Sequence, residues 1–154
     1  MRVTVAGVEL SSPVIAASGT FGYGIEFEEI VSLDRIGGFV TKGLSLEPMA
    51  GNPAPRIVQT AAGMLNAIGL QNIGVADFIE KKLPLLKRYP KARMIVNVFG
   101  NKVEDYLAVI ERLNGAEGIA AYRPGNRSCR PRSSAGDPLT QGGRIRRELV
   151  VTSG

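Results

Sequence analysis

The sequence predicts an α/β fold built on a parallel sheet, and three observations carry that reading. Short runs rich in Val, Ile and Ala alternate with segments of helical spacing along residues 1–122. The strand-like runs are apolar at consecutive positions, the pattern of strands covered on both faces. Ser18, Lys42, Asn66 and Asn97 fall at or beyond the ends of those runs, where sheets of this class gather functional groups.

In chain order, Val3 to Val5 and Val8 to Leu10 flank Gly7 and predict a small hairpin. Val14 to Ala17 reads as a buried strand, followed by the glycine-rich loop Ser18-Gly-Thr-Phe-Gly-Tyr-Gly and a short helix at about Ile25 to Val31. Gly38 to Lys42 is a second strand, and a long excursion over 43–73 follows it. Val75 to Arg88 is helical with a break at Pro84, because proline lacks the amide donor and crowds the preceding turn. Met94 to Val98 is a third strand, Val103 to Leu113 an amphipathic helix and Gly118 to Tyr122 the start of a fourth strand. A β/α barrel would bring the polar strand ends to its C-terminal rim. A doubly wound open sheet would gather them at the same ends of its strands, and spacing does not separate the two.

Composition bounds the chemistry. The 154 residues, 44% of them hydrophobic, suffice for the core of one domain. No stretch reaches the roughly 18 apolar residues of a membrane span. The N-terminus lacks the basic region and long apolar run of a signal peptide, which points to the cytoplasm. A single cysteine, Cys129, and no histidine leave too few soft ligands for a protein-held zinc or iron–sulphur site, so redox chemistry would need a bound organic cofactor. Residues 1–122 hold 12 Lys+Arg and 12 Asp+Glu, whereas residues 123–154 hold 7 Arg against 2 acids, which accounts for the whole net charge of +5. That tail is rich in Arg, Gly, Pro and Ser, without aromatic residues or apolar periodicity, and is expected to be disordered. It also lacks the stacking platforms of a single-strand binder, which argues against a nucleic-acid function.

Three positions stand out as candidates for binding. Gly63-Met-Leu-Asn-Ala-Ile-Gly-Leu-Gln-Asn is too apolar for a solvated loop and too rich in Gly and Asn for a helix. It reads either as a loop held over a site by its own packing, with Asn66 and Gly69 meeting a flat ligand, or as an ordinary buried loop. Lys42, at the mouth of a strand, either binds an anionic ligand or a flavin carbonyl or is a solvated lysine. Asn97, between Val96 and Val98, needs hydrogen-bond partners, from the backbone or from a cofactor. Gly19, Gly22 and Gly24 do not spell a dinucleotide fingerprint, and no phosphate-binding loop of the Walker type occurs.

Ala16-Ala-Ser-Gly-Thr-Phe-Gly-Tyr-Gly, Thr41-Lys-Gly, Leu46-Glu-Pro, Gly51-Asn-Pro-Ala-Pro-Arg, the segment 63–72 and Asn97-Val-Phe-Gly closely resemble the N-terminal half of class 1 dihydroorotate dehydrogenase catalytic subunits. The wording Asn-Ala-Ile-Gly-Leu-Gln-Asn is similar to the NAD-linked 1B type. The resemblance implies an FMN-binding β/α (TIM) barrel that oxidises dihydroorotate to orotate in pyrimidine synthesis. It assigns FMN contacts to Ser18, Lys42, Gly43 and Asn97, and substrate contacts to Lys42, Asn66, Ala67, Ile68, Gly69 and Leu70. It further implies a homo-oligomer and, for the 1B type, a separate FAD and iron–sulphur electron-transfer subunit, which would supply the metal ligands this chain lacks.

The resemblance stops at Tyr122. The family continues into Glu-x-Asn-x-Ser-Cys-Pro-Asn, which carries the cysteine base, whereas this chain reads Arg123-Pro-Gly-Asn-Arg-Ser-Cys-Arg-Pro. Asn126, Ser128 and Cys129 echo that motif, so Cys129 is a candidate base, but the flanking residues differ and coincidence or a scrambled remnant is the competing reading. A whole barrel takes about 250 residues. The expectation is therefore a barrel truncated to about its first four strands, with a frameshift near codon 122 as one origin of the tail. The alternative to a working dehydrogenase is an inactive half-barrel with at most a partner- or polyanion-binding role.

Overall fold

The computed structural model describes residues 1–125 and 150–151. In chain order its strands are β1 (Val3–Val5), β2 (Val8–Leu10), β3 (Ile15–Ala16), β4 (Gly38–Val40), β5 (Ile57–Thr60), β6 (Gly63–Asn66), β7 (Arg93–Val98), β8 (Ile119–Pro124) and β9 (Val150–Val151). The helices are α1 (Gly74–Asp77), α2 (Leu83–Leu86) and α3 (Val103–Leu113). The main sheet has the order β3-β4-β7-β8-β9, in which the first four strands run parallel and β9 pairs antiparallel to β8. Each parallel strand is added on the same side as the one before, and the order does not reverse among the described strands.

The two faces of β7 set the layers. Met94, Val96 and Val98 point toward the helices and pack with Phe39, Phe78, Leu83, Leu86, Val109, Leu113 and Tyr122 in the larger core. Ile95 points the other way, onto Val8 and Leu10 of the β1–β2 hairpin, together with Ala121 and the partly buried Ile15 and Val40. The hairpin turns through Ala6 and Gly7, both at positive φ, the geometry that suits a two-residue turn between twisted strands. Because both faces are covered, β7 tolerates apolar residues at successive positions, which is the pattern its sequence shows. A register shift between Met94 and Ile95 leaves Ala120 as an extra residue in β8 and aligns Ile95 with Ala121, so the apolar layer beneath the hairpin stays continuous.

Several expected elements match the structure closely, among them the hairpin and the helix Val103–Leu113. Others are corrected. The expected helix at Ile25 to Val31 is a 3₁₀ turn, Ile25–Phe27, continued by turns, since Gly24 before it supplies no side-chain cap. The second strand ends at Val40 rather than Lys42, because the β4–β7 pairing stops there. Pro84 does not end its helix. It sits in the first turn of α2, and the accommodation falls upstream, where Phe78–Lys82 widens into a π turn. Glu80, four residues before Pro84, lies in that turn, where the proline ring would otherwise meet its carbonyl. The fourth strand runs on to Pro124. No helix among the described residues is long and apolar enough to cross a membrane.

At the start of α3, the Asp105 carboxylate accepts the backbone N–H groups of Lys102 at 3.0 Å and Asn101 at 2.8 Å. These two bonds hold its carboxyl below the usual aspartate range. The folded chain therefore binds that proton more weakly than the unfolded chain. The stabilisation is complete above the unfolded value of about 3.9 and is lost as the pH falls through the lower folded value. Urea titrations at about pH 7 and about pH 3 should accordingly find Asp105→Ala less stable than the parent at the higher pH, with the gap narrowing at the lower one; a constant gap contradicts this reading. In the core, Phe78 is fully buried and stacks obliquely on Tyr23 with ring centroids 5.8 Å apart. Phe78→Ala should cost about 3–5 kcal/mol by the same titrations.

Candidate functional site

At the C-terminal ends of β3, β4, β7 and β8, four polar residues form one connected network. The Ser18 hydroxyl donates to the Thr41 carbonyl at 2.8 Å and accepts from Asn97 Nδ2 at 2.9 Å. The Asn97 backbone N–H donates to Thr41 Oγ1 at 3.1 Å, and Arg123 Nη1 donates to Asn97 Oδ1 at 3.2 Å. Asn97 shares its face of β7 with Ile95, so it is the first polar group beyond the apolar layer that the hairpin covers.

Lys42 follows directly on this network and is half-buried. Its backbone N–H donates to the Gly22 carbonyl at 2.6 Å, which ties the strand mouth to the glycine-rich loop. Its ammonium makes no hydrogen bond or ion pair among the described residues. Gly43 lies against Asn97: a Cβ there would sit 3.1 Å from the Phe99 ring and 3.5 Å from Asn97 Nδ2, so the absent side chain keeps the surface beside the carboxamide open.

The glycine-rich loop is anchored from below. Tyr23 is buried, and its hydroxyl accepts the Ile73 N–H at 3.3 Å. Burial raises the Tyr23 pKa, the Ile73 bond opposes that rise, and the nearby Glu26 charge adds to it, leaving the phenol neutral. Glu26 accepts the Tyr23 backbone N–H at 2.9 Å and pairs with Lys82 at 2.7 Å. Burial pushes the Glu26 carboxyl up, but the Lys82 hydrogen bond and the backbone donors outweigh it, and the net shift is downward.

The residues expected to meet a substrate form a second cluster. Gly63–Asn66 is strand β6 of an antiparallel hairpin with β5, and it is exposed along its length, which corrects the expectation of a loop held by its own packing. The reason is local: Asn66 pairs with Ile57 across the hairpin, so the backbone is satisfied without burial. Beyond the strand, the run is held by its neighbour 50–56. Ala67 N–H donates to the Arg56 carbonyl at 2.8 Å, and Asn52 donates through Nδ2 to the Ala67 carbonyl at 2.8 Å and through its backbone to the Ile68 carbonyl at 3.0 Å. Gly69 stands at φ 78, and a Cβ there would lie 2.7 Å from Asn52 N, so close approach and conformation both require glycine. Leu70 adopts φ 58, and its carbonyl accepts from Asn72 Nδ2 at 3.0 Å.

No hydrogen bond among the described residues joins Asn66–Leu70 to Lys42. The two clusters are joined instead by the strap 42–45. Leu44 N–H donates to the Asn97 carbonyl at 2.8 Å, and the buried Asn72 accepts through Oδ1 from the backbone of Ser45 at 3.2 Å and of Gly74 at 2.9 Å. Asn72 Nδ2 also donates to Ser45 Oγ at 2.9 Å. Thr41, Asn72 and Arg123 were not singled out from sequence. A buried-strand threonine beside a candidate lysine was the available signal for Thr41; nothing local marks the other two. Cys129, with Asn126 and Ser128, lies outside the described residues. No group of three or more His, Cys, Asp or Glu side chains among the described residues could hold a metal ion.

The family model for dihydroorotate dehydrogenase matches residues 1–150, past Tyr122, where the motif resemblance was expected to stop. The chain is 54% identical over 129 residues to the catalytic subunit of dihydroorotate dehydrogenase B (NAD(+)) from Geobacter sp. (strain M21), a match covering 84% of this chain and 42% of that protein. It is 56% identical over the same shares to the like-named subunit of Geobacter sulfurreducens. A relative from Solibacter usitatus, provisionally named a dihydroorotate dehydrogenase A (fumarate), is 51% identical with the same coverage. The chain thus spans 42% of the length of these curated relatives.

Asn72→Ala removes the acceptor of two backbone N–H groups at once. It should cost about 2–3 kcal/mol and speed amide exchange at Ser45 and Gly74, read by NMR; unchanged exchange at both would show that the strap is held by other contacts.

Proposed function

The chain belongs to the dihydroorotate dehydrogenase family, and from that premise we propose that it carries part of an FMN site at which dihydroorotate is oxidised to orotate, in cytoplasmic pyrimidine synthesis, on the rim of a β/α barrel. The observation that carries the reading is the Ser18–Thr41–Asn97 network with the uncommitted Lys42 ammonium beside it, at the C-terminal edge of a parallel sheet. The barrel is supported by a sheet whose parallel strands add in one direction, since a doubly wound sheet reverses its order at a switch point.

The residues fit a flavin ring. Gly43 leaves open the surface that a Cβ would fill, Asn97 presents a carboxamide beside it, and Ser18 has a hydroxyl with fixed direction. When bound, FMN supplies the two-electron acceptor. Lys42 would place a positive charge beside the electron-rich edge of the ring and the carboxylate of the substrate. Asn66 and the backbone of Ala67, Ile68, Gly69 and Leu70 would orient the pyrimidine, on a segment that Asn52 and Asn72 hold in place. Cys129 is the proposed base for the proton lost from dihydroorotate. Electron transfer to a separate FAD and iron–sulphur subunit, and a homo-oligomeric assembly, belong to the same reading.

The test is a fluorescence titration of the purified 154-residue chain with FMN, followed by anaerobic addition of dihydroorotate. The expected result is quenched flavin fluorescence and bleaching of the flavin absorbance band. Lys42→Met should weaken FMN or dihydroorotate binding by about ten- to a hundredfold, the worth of one charge-assisted hydrogen bond. Binding of FMN without bleaching would retain the cofactor site and reject the activity for this chain.

A further inference from the structure

The hydrogen-bond ladder between β4 and β7 changes partner at its last rung. Thr41 N–H donates to the Ile95 carbonyl at 3.0 Å, as a parallel ladder requires. The next rung of such a ladder runs from Asn97 N–H to the Thr41 carbonyl. Here Asn97 N–H goes instead to Thr41 Oγ1 at 3.1 Å, and the Thr41 carbonyl is left to accept the Ser18 hydroxyl at 2.8 Å. A side-chain oxygen has replaced a backbone one.

The consequence passes along the network. A serine hydroxyl has one proton, and that of Ser18 is committed to the Thr41 carbonyl. Toward Asn97 it can therefore only accept, so the carboxamide must turn its nitrogen inward to Ser18, at 2.9 Å. Its oxygen then lies on the β8 side, where Arg123 donates to it at 3.2 Å and Gly125 leaves room beside it. Thr41 itself is fully buried.

We propose that Thr41 is a positioning residue that fixes the orientation of the Asn97 carboxamide, with its nitrogen held on Ser18 beside Gly43 and its oxygen turned to the β8 side for an N–H donor, and that this orientation supports a ligand bound at the mouth. The ligand part rests on the reading of this mouth as a flavin site; the orientation part does not. Without the Thr41 hydroxyl, the Asn97 amide would return to the backbone carbonyl and displace Ser18. The freed hydroxyl could then donate to Asn97 Oδ1, and the carboxamide would turn over.

Thr41→Val removes the oxygen while keeping the shape, and Thr41→Ser restores it. The side-chain amide signal of Asn97, assigned in asparagine-labelled protein by its loss in Asn97→Asp, reports the orientation by NMR. It should shift and lose exchange protection in Thr41→Val and keep its parent position in Thr41→Ser. FMN affinity should fall about tenfold in Thr41→Val and stay within about twofold in Thr41→Ser. Should Thr41→Val fail to fold, Thr41→Ala removes the same oxygen with a smaller side chain and must produce the same shift. An unchanged Asn97 signal in Thr41→Val or Thr41→Ala overturns the proposal, as does failure of Thr41→Ser to restore it. If no form of the chain, parent included, binds FMN, the flavin reading fails while the Asn97 signal still decides the role of Thr41.

Discussion

Strand β7 is covered on both faces, and the positions of β4, β8, the helices and the N-terminal hairpin follow from that constraint. A strand with no exposed face must satisfy its backbone entirely within the sheet, so its neighbours β4 and β8 are held in register along most of its length. Its side chains must then find apolar partners on two sides: the helices for Met94, Val96 and Val98, and the N-terminal hairpin for Ile95. Asn97 occurs where the hairpin's cover ends. A carboxamide one pair of residues earlier would be buried against Val8 and Leu10 without partners, so the depth of the hairpin sets the depth of the mouth.

Above that layer, polar groups satisfy one another before they meet any ligand. No buried side-chain nitrogen or oxygen among the described residues lacks a partner. Ser18, Thr41 and Asn97 come from three strands and share their donors and acceptors with little left over, which makes them a rigid platform. Lys42 is the exception, since its charge has no counterion among the described residues. In a network so nearly closed, the neutral groups supply fixed direction and the lysine supplies charge. These are separate physical contributions, and although Thr41 and Lys42 are consecutive, Ser18 and Asn97 come to them from distant parts of the sequence.

That division explains what could be read from the sequence. Val103–Leu113 was legible because its helix is specified by residues three and four apart, and β7 was legible because a continuous apolar run declares burial on both faces. Asn97 was marked as needing partners, and those partners are Ser18, Thr41 and Arg123, at separations of 79, 56 and 26 residues. No local pattern names partners so far apart. The excursion 43–73 misled because its apolar residues implied burial, whereas Ile57, Val58, Met64 and Leu65 are exposed on a hairpin whose backbone is satisfied by cross-strand pairing. Pro84 was read correctly as a disturbance and misplaced by one turn, since its clash acts on the carbonyl four residues earlier.

Small-ligand sites usually enclose most of their ligand behind apolar walls, with a few polar groups to orient it. The mouth described here orients without enclosing. A concave region of about 720 Å³ opens at the opposite end of the sheet, lined by Val8, Glu9, Arg93, Met94, Gly118 and Ile119, where none of the mouth's polar groups lies. The exposed apolar side chains of the β5–β6 hairpin are the other apolar surface close to the run 66–70, because Ala67 and Ile68 continue directly from β6. The run that continues the hairpin is bonded to Asn72 through the Leu70 carbonyl, and Asn72 is bonded in turn to Ser45 of the strap 42–45, the segment that carries Lys42. One buried carboxamide therefore ties the end of that run to the segment that follows β4, although no hydrogen bond among the described residues joins the run to Lys42 itself.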